Sequence, residues 1–159
     1  MKRILPLLAV LGAWLAAAST TQAGEQPCGD ISLEQLRKSA AEGSPAAQKD
    51  LADLLASGRC VREDDAEAVI WYRRSAEQNH HSAQYALGQM LAEGGGGPKN
   101  AVEGYMWIRL SAPKSDRHTR EVLEKMAKSM SREDVLQAER NAVQWMRSHL
   151  ENARPAPKK

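Results

Sequence analysis

Residues 68–76 read AVIWYRRSA, and 36 residues further on residues 104–112 read GYMWIRLSA. The shared pattern is W-x-R-x-S-A, in a chain that has only four tryptophans. Laying residues 43–78 on 79–114 without a gap leaves eleven of 36 positions identical. Besides the W-x-R-x-S-A positions they are Ala47/Ala83, Gln48/Gln84, Leu51/Leu87, Leu55/Leu91, Ala56/Ala92, Gly58/Gly94 and Glu67/Glu103. Chance pairing at average composition would give roughly two or three. A period of this length is that of a repeat built from two helices.

Each unit predicts a helix A, a loop and a helix B. In the first unit Ser44-Pro45 is an N-cap followed by proline in the first helical position. Ala47, Leu51, Leu54 and Leu55 fall on one helical face, and Gly58 ends the helix with a residue free to turn left-handed. Helix B opens on Asp64 with Glu67 three residues on, a capping-box pattern that Asn100 and Glu103 repeat. Small residues on helix A (Ala47 and Ala52, then Ala83 and Gly88) leave a notch that the tryptophan of helix B is expected to fill. Trp71 and Trp107 are therefore expected in the core, since aromatic side chains dominate burial. An aromatic-ligand site is the alternative.

The pattern continues outward. Ser39-Ala40 stands 36 residues before Ser75-Ala76, so residues 32–42 read as a lone helix B capped by Ser32 with Gln35. Thr119, Leu123, Met126 and Ala127 continue the helix A register, and Ser131 caps a last helix. That helix carries Val135, Ala138, Ala142, Trp145, Met146 and Leu150 on one side, with Met130 and Val135 placed as a hydrophobic staple. Atypical end units are what a repeat array needs, because its terminal faces meet water. The expected organisation is a half repeat at 32–42, repeats at 43–78 and 79–114, and a capping helix pair at 115–150. A basic tail at 151–159 follows, disordered by composition.

Composition agrees with an all-α chain: Ala, Leu, Glu, Gln, Lys and Arg are plentiful and phenylalanine is absent. Residues 1–23 differ from the rest. Lys2-Arg3, a short apolar run and Thr21-Gln22-Ala23 have the form of a secretory signal peptide, with an uncleaved anchor as the alternative. Residues 24–31 would form the N-terminal segment of the mature chain. Removal of the signal leaves 20 basic and 20 acidic residues, so no net field favours nucleic acid.

The run Ala47-Gln48, Leu51, Gly58-x-Cys60-Val61, Asp64, Ala68, Trp71-Tyr72 and Ala76 resembles the Sel-one-like repeat, a branch of the tetratricopeptide superfamily. Ala83-Gln84, Leu87-Gly88, Gly94-Gly95-Gly96, Trp107 and Ala112 carry the likeness into the second unit. The resemblance implies a short right-handed α-solenoid of antiparallel helix pairs. It also implies an adaptor or scaffold that holds a protein or peptide, with immunity-type toxin neutralisation as one version of that role. In an exported chain the partner would lie in the cell envelope, the location would be periplasmic or secreted, and the mature protein would be a monomer with no membrane span. Cys28 and Cys60 are expected to pair, since loops of successive repeats share one edge of a solenoid and exported proteins meet oxidising surroundings. Two free thiols are the alternative. Cys60 stands where the family often has glycine.

Little suggests catalysis, a cofactor or a metal. Gly94–Gly97 with Pro98-Lys99 lacks the phosphate-loop arrangement and follows a helix. His80-His81 has no further ligand at metal-binding spacing, and Asp64-Asp65 reads as a cap. No serine sits in a nucleophile elbow. A small envelope enzyme or β-lactam-binding protein is the competing class, and its clustered Ser/Lys or Cys/His site is not evident. The expected binding surface is the concave face of successive helices A. The register aligns Lys49, Tyr85 and Glu121 in one row and Asp53, Gln89 and Lys125 in another. Tyr85 is the expected anchor, because tyrosine is enriched at interface hot spots.

Overall fold

The computed structural model describes residues 32–112 and 116–152. The signal-like segment 1–23, the segment 24–31 with Cys28, Pro113 and the tail from 153 onward lie outside the described residues. Among the described residues all regular structure is helical. The helices are α1 (Leu33–Ala41), α2 (Pro45–Ser57), α3 (Asp65–Glu77), α4 (His81–Glu93), α5 (Ala101–Leu110), α6 (Arg117–Ala127) and α7 (Arg132–Asn152). None is long and apolar enough to cross a membrane. Packing runs in chain order from α1 to α5, and α5 then carries both α6 and α7. The molecule is an α-solenoid in which α2–α3 and α4–α5 are the two full repeats.

The helix ends follow from local chemistry. Ser32, Ser44, Asp64, His80, Asn100 and Asp116 each accept the backbone N–H three residues on, satisfying a donor that the helix leaves unpaired. Gly58 and Gly94 close α2 and α4 in the left-handed conformation, at φ of 64° and 90°. The capping boxes are only half used. The N–H groups of Asp64 and Asn100 donate to the carbonyls of Leu55 and Leu91, at 3.0 and 2.8 Å. The carboxylates of Glu67 and Glu103 turn instead to the tryptophans four residues on, whose indole N–H groups donate to them at 3.1 and 3.2 Å.

The other positions of W-x-R-x-S-A tie helices together. Arg73 of α3 pairs with Glu103 of α5. One period later Arg109 of α5 pairs with Glu139 of α7 at 3.5 Å. Helices B are thus joined by a ladder of ion pairs, each spanning 30 residues. Ser75, fully buried, donates to the Pro45 carbonyl at 2.6 Å. Ala76 presents its carbonyl to the buried Gln84 amide at 3.2 Å, as Ala40 does to Gln48 at 3.1 Å. Ser111 departs from this pattern: its hydroxyl bonds locally to the Ile108 carbonyl.

Two cores result, both fed by α5. Met106 and Trp107 join a core drawn from α1–α5 and from Ala142 and Trp145 of α7, while Tyr105 and Ile108 join a second one with Leu123 and Ala138. Trp107 is 2% exposed, edge-on to Trp145 at 5.6 Å between ring centroids. Trp71 is only partly buried, with the Arg74 guanidinium 4.5 Å from its ring centroid. The asymmetry has a cause in the register: Arg109 stands 36 residues before Trp145 and reaches for Glu139 rather than covering Trp71. At Gly88 the notch on helix A is filled by backbone and not by tryptophan. Gly88 lies against the Gly104 carbonyl and the Ile108 side chain, so the two helix backbones themselves meet there.

The last helix also differs from expectation. Ala138 and Ala142 are buried, but Met146 is 40% exposed and Leu150 67% exposed. Helix α7 has 21 residues against ten in α5. At about 1.5 Å rise per residue its C-terminal turns overhang their support.

Adding a methyl group at Gly88 would place it 2.7 Å from the Gly104 carbonyl and 2.5 Å from Ile108 Cγ1. Backbone cannot rotate aside, so Gly88→Ala is expected to cost about 1–3 kcal/mol. A urea midpoint equal to wild type would show that α4 and α5 do not approach this closely. Burial alone would raise the Glu103 carboxyl, but hydrogen bonds from Arg73 and Trp107 outweigh it and hold the group below its ordinary value of 4.5. The folded state therefore binds this proton less readily than the unfolded one. Its stabilisation is complete above that value and is lost as the pH falls below it. Glu103→Gln should melt below wild type at neutral pH, and the gap should narrow in a melting series taken down to about pH 3.

Candidate protein-binding surface

Helices α2, α4 and α6 carry the two residue rows singled out in the sequence. At α2 the rows are occupied by internal contacts. Lys49 Nζ bonds Asp53 Oδ2 at 2.6 Å, and the Tyr72 hydroxyl donates to Asp53 Oδ1 at 2.6 Å. Asp53 thus ties α2 to α3. Its hydrogen bond holds the Lys49 ammonium above the ordinary lysine range. Burial, and then the bond to Asp53, push the Tyr72 phenol well above its usual value.

Tyr85 is not the free anchor that the register suggests. It is partly buried against the second core, and its hydroxyl lies 3.1 Å from His118 Nε2. The start of α6 supplies that histidine, an arrangement that sequence periodicity does not show because the same two positions one unit earlier are Lys49 and Ser82. Glu121 pairs with Arg117 one turn away at 2.8 Å, an exposed contact of small energetic weight.

Gln89 and Lys125 are brought together. Both are exposed, and both line a depression of about 400 Å³ between α4, α5 and α6. Its floor is apolar: Ile108 is buried, and Val122, Met126 and Met130 are partly so. Lys99 and Glu93 complete the rim. Gln89 also borders a second depression of about 330 Å³ on the α2–α3 side, with Tyr72, Ala86 and Glu93. It therefore stands on the ridge between two hollows. Tyr85 lines a separate hollow with His81 and His118.

The floor residues escaped the sequence reading for a physical reason. Met126 and Met130 carry helical-core spacing, and a core face and the floor of a groove look alike until the covering helix is known. Lys99 follows the glycine run, whose conformation has no periodicity to read. That run has a structural role of its own, since Gly96 sits against the Asp65 backbone, where a side chain would collide with a carbonyl oxygen at 2.3 Å.

A larger cavity of about 450 Å³ lies between α5, α6 and α7. It contains the Arg109–Glu139 pair, and the Tyr105 hydroxyl donates to Glu139 at 3.3 Å. Burial, then the Glu139 charge, raises the Tyr105 phenol. These groups satisfy one another and hold the cap in place. Among the described residues no three His, Cys, Asp or Glu side chains are grouped to hold a metal ion. His80 instead caps α4, accepting the Ala83 N–H at 3.4 Å through Nδ1. Cys60 is 5% exposed and has a φ of 71°, in the region that favours glycine. Its expected partner Cys28 lies outside the described residues.

Residues 45–80 and 81–113 match the family model of the Sel1 repeat. Among solved structures, the chain is similar to a protective antigen of uropathogenic Escherichia coli that displays an SLR fold. The two are 27% identical with a TM-score of 0.67 over 79% of this chain and 29% of that one. The present chain therefore spans under a third of the antigen's length. A Sel1 repeat protein from Oxalobacter formigenes is 32% identical, with a TM-score of 0.54 over 58% of this chain and 69% of that one. No curated protein matches the sequence.

The differing surroundings of Tyr85 and Gln89 can be measured. Tyr85→Ala should lower stability by about 2 kcal/mol by opening the edge of the second core. Gln89→Ala should stay within about 0.5 kcal/mol of wild type, as is usual for an exposed residue. Equal melting temperatures for the two variants would contradict this placement of Tyr85.

Proposed function

The chain belongs to the Sel1 repeat family, and on that premise we propose that it is an exported binding module that holds a protein or peptide of the cell envelope and catalyses no reaction itself. The observation that carries this reading is the depression between α4, α5 and α6, where exposed Gln89 and Lys125 flank an apolar floor. An apolar hollow with a few polar groups at its rim suits a partner's side chain. The signal-like form of residues 1–23 supports a partner in the periplasm or outside the cell. Adaptor and toxin-neutralising roles both use such a surface, and the mature chain acts as a monomer in either.

Affinity capture of envelope proteins by the mature chain tests the surface. The double variant Gln89→Ala/Lys125→Ala should retain at least about tenfold less of the captured partner, a change of about 1.4 kcal/mol, at an unchanged melting temperature. Undiminished capture would move the site elsewhere on the molecule. A labelled β-lactam should leave the pure protein unmodified; covalent labelling would favour the enzyme class instead.

Export carries a second expectation. The mature protein should begin at Gly24 by intact mass and carry a Cys28–Cys60 disulfide. Thiol titration of the oxidised, denatured protein should then find no reactive cysteine. Two reactive thiols would rule the bridge out.

A further inference from the structure

We propose that the depression between α4, α5 and α6 accepts an acidic peptide segment with a large aliphatic side chain as its anchor. The inference rests on the binding-module reading and adds to it the chemistry of the partner. The floor sets the anchor. Ile108 is rigid and 1% exposed, while Met126 and Met130 are unbranched and can adapt their shape to an inserted side chain. A hollow of about 400 Å³ has room for more than one aliphatic group.

The rim sets the charge. Lys99 and Lys125 are both exposed and border the same hollow from different elements, the loop before α5 and the middle of α6. Among the described residues neither is in an ion pair, so both ammonium groups are open to a partner, as those of several other exposed basic residues are. Glu93 also lines the rim, so the mouth carries one net positive charge. Acidic groups beside the anchor would meet that charge, and basic groups would oppose it. Two lysines over an apolar floor do not form the basic track that a nucleic acid backbone requires.

The probe is a phage-displayed library of random dodecapeptides, selected on the mature wild-type protein. Enriched sequences should combine Leu, Ile or Met with Asp or Glu within a few positions. A synthetic peptide of the enriched sequence should bind Lys99→Glu/Lys125→Glu at least about tenfold more weakly than wild type. The same peptide with its acids replaced by lysine should show the opposite preference. Both lysines are exposed, so the variant should keep the wild-type melting temperature. Enrichment without acidic residues, affinity that ignores the charge reversal, or no enrichment at all would overturn the proposal. Gln89→Ala separates the two levels. A peptide that is sensitive to Gln89→Ala but not to the charge reversal leaves the groove standing and removes the acidic partner. A peptide that is sensitive to neither binds elsewhere, and both readings fall.

Discussion

A buried glutamine amide donating to an alanine carbonyl at the end of the preceding helix sets the spacing of this molecule. Gln48 does so to Ala40, and Gln84 to Ala76. Each bond joins one helix pair to the next. A buried amide without a partner is costly, so the two helices must meet in one register for the donor to be satisfied. Alanine at the acceptor position lets the helices approach, and both acceptors are about 1% exposed or less. At the third position the register brings Arg120 where glutamine stood, and Arg120 is exposed. The change coincides with the change in architecture, for α6 leans on α5 beside a cavity and α7 docks on α5 as well.

The second set of connections, Arg73–Glu103 and Arg109–Glu139, runs along helices B. Its members do more than pair with each other. Glu103 also accepts the Trp107 indole N–H, and Glu139 the Tyr105 hydroxyl. Each carboxylate thereby links an ion pair to a buried aromatic, so that disturbing the polar ladder disturbs the packing. The hollow between α4, α5 and α6 arises where the packing of the array loses its regularity. Where α7 docks on α5 and α6 is left without the close partner that α2 and α4 have, apolar residues at core spacing are left lining a groove.

The fold was legible because its determinants recur. Gapless matching of W-x-R-x-S-A and of Ala-Gln finds residues that make periodic contacts, and helix caps such as Ser44 and Asn100 act within four residues of themselves. The site was harder to read, since it depends on what is not periodic. Gln89 and Lys125 were found by register, and their neighbours Lys99 and Met130 were not. The cover of Tyr85, His118, occupies a register position that holds Ser82 in the preceding unit, so the repeat gives no sign of it. Trp71 and Trp107 look equivalent in the sequence, yet only Trp107 has an aromatic from a following helix above it. Identical residues in a repeat share their own helix but not their neighbours, and burial is set by the neighbours.

The ladder of ion pairs also bears on how such a chain can lengthen over evolution. Each rung joins an arginine to a glutamate 30 residues ahead, and each glutamine looks eight residues back. Duplication of a whole 36-residue unit between Gln78 and Asn79 would regenerate every one of these partners at the new joint. The closing helix would still find its own arginine. Extension after α7 has no such provision, because Trp145 occupies the register position where the next arginine would stand. Growth by internal duplication keeps the joints intact, whereas growth at the C-terminal end needs a new kind of contact. The register thus favours insertion ahead of the α6–α7 pair over addition behind it.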